Sequence, residues 1–240
     1  MKTRIVKKPA VRRDEILDSA SKLIFSKGFE LMTIQDILND LNIAKGTVYH
    51  YFDSKQALLE AFIERIQQET EKPLLPILHD PQRTAVEKLQ GFFDVLDSRR
   101  AANIVDVVKL SRVWFTDENA IVREKVNQAV VQQRAPLLNQ IVRQGIQEGV
   151  FTTRYPEQAG EIILSLLHGM GNAHIRQLFE LEQNPDAVDG ADQVATTHAA
   201  YMAAIEQVLG AAPNSLYRID REMVMTWINA FKAAAGQDGG

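Results

Sequence analysis

The sequence predicts an all-α protein, with an N-terminal three-helix unit followed by a larger helical domain. Three observations support this. Apolar residues recur at three- and four-residue spacing along most of the 240 residues, the period of a helix with one buried side. No run alternates apolar and polar residues as a half-buried strand would, and there is no internal repeat. Glycine, proline and helix-capping residues fall at several of the junctions between periodic segments.

The first predicted helix covers Val11 to Lys27, with Ile16, Ala20, Leu23, Ile24 and Lys27 at helical spacing and Gly28 as its stop. Thr33 suits the N-cap of a short helix running through Asp40, with Ile34, Ile37, Leu38 and Leu41 inward. Asn42, a residue that tolerates the left-handed conformation, interrupts it. A second short helix follows from Ala44 to about Tyr51. Asp53 or Ser54 caps the next, with Gln56 placed three after Asp53 as in a capping box; that helix carries Leu58, Leu59, Phe62 and Ile66. Pro73 to Pro81 reads as a hinge, which divides the chain into domains 1–72 and 73–240. Further helical patterns surround Val86–Leu96, Ile104–Trp114, Ile121–Ile146, Ile162–Leu181, Val194–Leu209 and Arg221–Phe231. Glu182 to Asp192 reads as an acidic loop and the final GQDGG as a disordered tail.

Charge and composition narrow the function. The net charge is −4, yet the chain up to Lys27 holds Lys2, Arg4, Lys7, Lys8, Arg12, Arg13, Lys22 and Lys27 against Asp14, Glu15 and Asp18. A basic end on an acidic protein is suited to meet a polyanion. The absence of cysteine rules out disulfides and thiolate metal sites and fits a reducing cytoplasm. No stretch approaches the length of apolar sequence that spans a membrane, and the basic N-terminus leads into Asp14 and Glu15 rather than a signal core.

The segment AKGTVYHYFDSK, Ala44 to Lys55, concentrates aromatic, cationic and hydroxyl side chains. A core would reject Lys45, and an ordinary solvated surface would not collect Tyr49, Tyr51 and Phe52. Two short helices joined by a three-residue turn have the spacing of a helix-turn-helix, whose second helix enters the DNA major groove. In that setting Lys45 reaches a guanine edge or a phosphate. Gly46 lets backbone approach backbone. Thr47 and Tyr49 meet phosphates or a thymine methyl. Lys55, at the start of the next helix, lies where side chain and helix N-terminus both meet a phosphate, and Phe52 is expected in the core.

From about Arg12 to Phe62 the sequence resembles the DNA-binding domain of the TetR family of bacterial transcriptional repressors. Ile16-Leu17, Ala20, Ile24-Phe25, Gly28-Phe29, Thr33, Ile37, Lys45-Gly46-Thr47-Val48-Tyr49, Phe52, Lys55 and Leu58 match the family's pattern. The candidate DNA-contacting residues are therefore Thr33, Ala44, Lys45, Gly46, Thr47, Tyr49, His50, Tyr51 and Lys55. The resemblance implies a homodimer on double-stranded DNA at a palindromic operator, with a helical C-terminal domain that dimerises and takes a small-molecule effector whose binding releases the DNA. Leu41-Asn42-Ile43-Ala44 departs from the family's usual Ala, Gly, Val, Ser, and Tyr51 stands where histidine is frequent. Ala44 has no hydroxyl with which to cap the recognition helix, whose start is expected to lean on Asn42 or water.

The C-terminal half carries no effector signature. Arg112, Trp114, Phe115, His168, Met170 and His174 are the candidate ligand-binding residues, with Tyr201 and Met202 beside them; each is also an ordinary core or interface residue type. His168 and His174 are six positions apart, which on a helix turns them to nearly opposite faces and excludes a histidine metal pair. Gly169-Met170-Gly171 follows no strand and reads as small residues allowing close helix packing. The helices around Ile162–Leu181 and Val194–Leu209 are expected to form the dimer interface. No cofactor is implied. An activator with the same docking geometry is the nearest alternative. An all-helical enzyme is the remote one, since the sequence lacks a nucleophile elbow, a Walker loop and a His-Glu-x-x-His motif.

Overall fold

A computed structural model describes residues 9–102, 104–184, 189–216, 218–219 and 221–235. The described residues are helical and connecting segments, with no β-strand among them. The basic arm Met1–Lys8, part of the acidic loop and the GQDGG tail lie outside them. The chain divides into two compact units: one holds the chain up to Glu69 together with Arg112–Val126, the other Thr70–Ser111 and the chain from Asn127 onward.

In the first unit α1 (Pro9–Lys27) buries Ile16, Leu17, Ala20 and Ile24 along one stripe and stops at Gly28, whose φ of +85° ends the helix. The helix α2 (Ile34–Leu41) begins with a reciprocal capping box: the Thr33 hydroxyl accepts from the Asp36 N–H, and the Asp36 carboxylate accepts from the Thr33 N–H. Its end is set by Asn42 at φ 50°. The structure thus gives Asn42 to the close of α2, and α3 (Lys45–Tyr51) starts at Ala44 with no side-chain cap. The longer α4 (Lys55–Glu71) is capped by Ser54, whose hydroxyl accepts from the Ala57 N–H. The capping box expected between Asp53 and Gln56 is not formed; Gln56 donates to Glu60 instead. Ile37, Val48, Phe52, Leu58, Leu59 and Phe62 complete the core of this unit.

Arg112–Val126 contributes the end of one helix, a 3-10 turn at Asp117–Asn119 and the start of another. The Trp114 ring meets Phe25 at 5.8 Å between centroids. This segment has no counterpart in the division at residue 72 read from the sequence, because no local pattern announces a contact across 90 residues of chain.

The second unit contains α5 (Leu75–Leu78), α6 (Ala85–Ala102), most of α7 (Ile104–Trp114) and of α8 (Ala120–Gln147), α9 (Pro156–Gln183), α10 (Gly190–Leu209) and α11 (Arg221–Ala235). The stretch read as a hinge is folded in: Leu74 and Leu78 are buried in a core with Leu89, Phe92, Leu138, Phe151, Ile163, Met170 and Met202. A second cluster joins Val108, Leu178, Val194, Val224, Ile228 and Phe231. After α10 the buried Glu206 carboxylate orders the turn, accepting from the Asn214 and Leu216 N–H groups and from Arg218. Gly169 packs against Tyr201, where an added Cβ would lie 3.2 Å from the hydroxyl, whereas Gly171 has open space. Close packing therefore explains the first of those two glycines only.

Candidate nucleic-acid interface

The orientation of α3 follows from its two apolar anchors. Val48 is fully buried and Phe52, just past the helix, is 4 % exposed. With those anchors facing inward, Ala44, Lys45, Gly46, Tyr49 and His50 are exposed, and Thr47 and Tyr51 are half-buried. The Lys45 ammonium lies 5.6 Å above the Tyr49 ring, and the His50 and Tyr51 rings meet edge-on at 4.9 Å. An added methyl at Gly46 would meet no atom within 4 Å.

The surrounding electrostatics distinguish α3 from its neighbours. Cations on α1 are matched locally: Lys22 pairs with Asp40, Lys27 with Asp36 and Arg12 with Glu15. Arg13 sits over the Phe52 ring. The Lys27 ammonium, with the Thr33 hydroxyl and N–H, lowers the Asp36 carboxyl from 3.8 to about 2. Lys22, helped by Ser19, likewise holds Asp40 below the usual carboxylate range. Among the described residues Lys45 makes no such pair, so its charge is directed outward. A helix with an outward cation, aromatic rings, a hydroxyl and a bare glycine can bind phosphate oxygens and base edges in a groove of about its own width.

Thr33 and Lys55, both predicted contact residues, are hydrogen-bonded to the protein's own backbone. Thr33 caps α2. The Lys55 ammonium donates to the Glu30 carbonyl at 3.1 Å and lies 4.4 Å above the Phe29 ring; burial pulls it below its ordinary value, against the opposing pull of Glu30 and Asp36.

The six ligand candidates are found in different surroundings. Arg112, Trp114 and Phe115 belong to the segment within the first unit, Trp114 against Phe25 and Phe115 beneath the Arg123 guanidinium. Along α9, His168 is exposed with Nε2 3.0 Å from Asn172, Met170 is in the core, and His174 stacks on the buried His198 at 5.6 Å. His198 and Asn119 are buried polar residues that the sequence does not single out. A polar residue destined for burial looks locally like any exposed one.

In its elements and its outward face, the first unit is a helix-turn-helix DNA-binding unit. The family model described as bacterial regulatory proteins, tetR family, matches residues 16–62, and a tetracyclin repressor-like C-terminal domain model matches 104–184. The transcriptional repressor KstR2 of Mycolicibacterium smegmatis is 30% identical over 101 residues, 40% of this chain and 49% of that protein. IcaR of Staphylococcus aureus, a negative transcriptional regulator of a biofilm operon, is 36% identical over 52 residues, 22% of this chain and 28% of that protein. The chain thus spans half or less of the length of these curated relatives. Among solved structures, the SmeT–triclosan complex aligns with TM-score 0.59 at 18% identity, over 88% of this chain and 97% of that one. A regulator from Pseudomonas aeruginosa PAO1 aligns with TM-score 0.57 at 17% identity, over 84% and 93%; at such identities these neighbours bear on the fold. The chain belongs to the TetR family of transcriptional regulators.

Proposed function

We propose that this regulator is a repressor that grips a palindromic operator as a homodimer and is released when a small molecule binds its larger helical unit. The observation carrying the DNA-binding part is the outward face of α3, where Lys45, Gly46, Tyr49 and His50 are exposed together while the cations of α1 are engaged by carboxylates and a ring. Lys45, Thr47, Tyr49, His50 and Tyr51 make the contacts, with Gly46 admitting the DNA backbone. Repression is supported by the relatives: KstR2 is a repressor and IcaR a negative regulator. Binding of a small molecule, the first half of that switch, draws support from SmeT, whose structure is a triclosan complex.

Dimerisation through α9 and α10 is supported by an open groove of about 560 Å³ on those helices, lined by Gln158, Glu161, Ile162, Ser165, Leu166, Gly169 and Tyr201. Ile162 is 40 % exposed there, an apolar side chain suited to a second copy. A dimer sets the spacing of two recognition helices, and half-sites on one DNA face lie about 34–36 Å apart. An effector that prefers another spacing shifts the population away from the DNA-competent state.

The test is selection of bound duplexes from a random double-stranded pool with ligand-free protein. Enrichment of a palindrome with half-sites about one helical turn apart is expected. Recovery of no sequence preference at low and moderate salt would refute the operator reading. Lys45→Ala should weaken binding to the selected operator while leaving thermal stability unchanged; a loss of folding would show that the side chain is not the outward group described.

A further inference from the structure

Asn119 is fully buried and spends its whole side-chain amide on backbone groups. Its Oδ1 accepts from the Phe29 N–H at 2.9 Å; its Nδ2 donates to the Ile24 carbonyl at 3.2 Å and the Val113 carbonyl at 3.1 Å. The preceding residue adds a parallel bond, the Glu30 N–H donating to the Glu118 carbonyl at 3.2 Å. Gly28 lies flush against Glu118, leaving no room for a side chain. The 3-10 turn at 117–119 therefore holds the α1–α2 turn through both Phe29 and Glu30.

The same two residues are held from their other side. The Glu30 carbonyl accepts from Lys55 Nζ, and the same ammonium rests on the Phe29 ring. Lys55 opens α4, separated from the end of α3 only by Phe52, Asp53 and Ser54, and Phe52 is buried. A lysine at a helix N-terminus opposes the helix dipole, so its retention there calls for compensation, and the carbonyl and ring provide it. A fully satisfied buried polar group such as Asn119 admits one arrangement of its surroundings, because any other leaves costly unpaired groups.

We propose that Asn119 and Lys55 are positioning residues that act as one relay, fixing the recognition helix α3 through Phe29 and Glu30 and making Arg112–Val126 a working part of the DNA-binding unit. The proposal rests on α3 being the DNA-contacting helix. It assigns Lys55 to orientation rather than to a direct phosphate contact.

The experiment uses the full chain and the selected operator, with Lys55→Met, Asn119→Asp and the double variant. Asn119→Asp is nearly isosteric and keeps the acceptor while removing both donors. Affinity is measured across a salt series, and amide hydrogen exchange is measured without DNA. Each single variant is expected to bind roughly tenfold more weakly, with Phe29, Glu30 and α3 amides losing protection. The salt slope stays that of the parent, and the double variant binds within about twofold of the weaker single, as for residues in one network. The relay is overturned if Lys55→Met flattens the slope by about one phosphate's worth, if the two losses add, or if α3 exchange is unchanged in Lys55→Met. Should Asn119→Asp fail to fold, the slope and exchange of Lys55→Met decide alone. If the parent selects no operator, the DNA reading fails while the exchange data still judge the relay.

Discussion

Gly46 is the second residue of α3, and a methyl group added to it meets nothing within 4 Å in the free protein. Its backbone is helical, so alanine fits without strain and is expected to leave stability unchanged or raise it by up to about 1 kcal/mol, less near a helix end. The DNA complex is a different environment. If a phosphate oxygen or base edge touches the Gly46 Cα, an added Cβ pushes the duplex back by about 1 Å, enough to carry neighbouring hydrogen bonds out of range. Losing well-made bonds at Lys45 and Thr47 corresponds to about 2–3 kcal/mol, or roughly 30- to 150-fold in affinity. The assay is fluorescence anisotropy of the labelled operator alongside thermal melts followed by circular dichroism. Gly46→Ala with parental stability and operator affinity within about twofold of the parent would refute close approach at this residue. A lowered melting temperature would refute the open space.

Three other outcomes follow from the same geometry. Gly28→Ala places a Cβ at positive φ and 2.5 Å from the Glu118 Cβ, so denaturant unfolding should show a loss of about 2–5 kcal/mol. Asp36 has its carboxyl lowered from 3.8 to about 2 by Lys27 and Thr33, so its contribution is present above pH 4 and is lost as pH falls through the folded value. Asp36→Asn should therefore be less stable than the parent at neutral pH, with the gap closing between about pH 4 and 2; a gap that persists in acid would contradict the assignment. Ile162→Glu places a charge in the α9–α10 groove, and sedimentation should show the proposed dimer shifted to monomer with α-helical content retained; a dimer unaltered by the change would put the interface elsewhere.

Much of the first unit was legible because its signals are local. The stripe Ile16, Ala20, Ile24 announces a helix, Thr33 announces a start, and Gly28 and Asn42 mark stops where the backbone turns left-handed. The crowding of Lys45, Tyr49 and His50, which the structure leaves exposed, is legible because such a mixture suits neither core nor plain solvent. Local ambiguity accounts for the misplaced caps. Asn42 lies between two helices and can serve either, and Gln56 has both a capping and a helix-surface partner within reach.

The helical class, the order of the helices and the segment proposed to face DNA were all readable along the chain, since each is encoded within a few turns of it. Tertiary structure alone decided which distant residues work together. It brought Asn119 under Phe29 and Ile24, placed Trp114 on Phe25, and turned Lys55 onto Glu30. It places Arg112, Trp114 and Phe115 in the first unit and His168, Met170 and His174 along α9 of the second. The physical reason is that helix periodicity and capping act over three or four residues. A buried amide is satisfied by whichever backbone groups the packed chain presents to it, and nothing in its own neighbourhood names them.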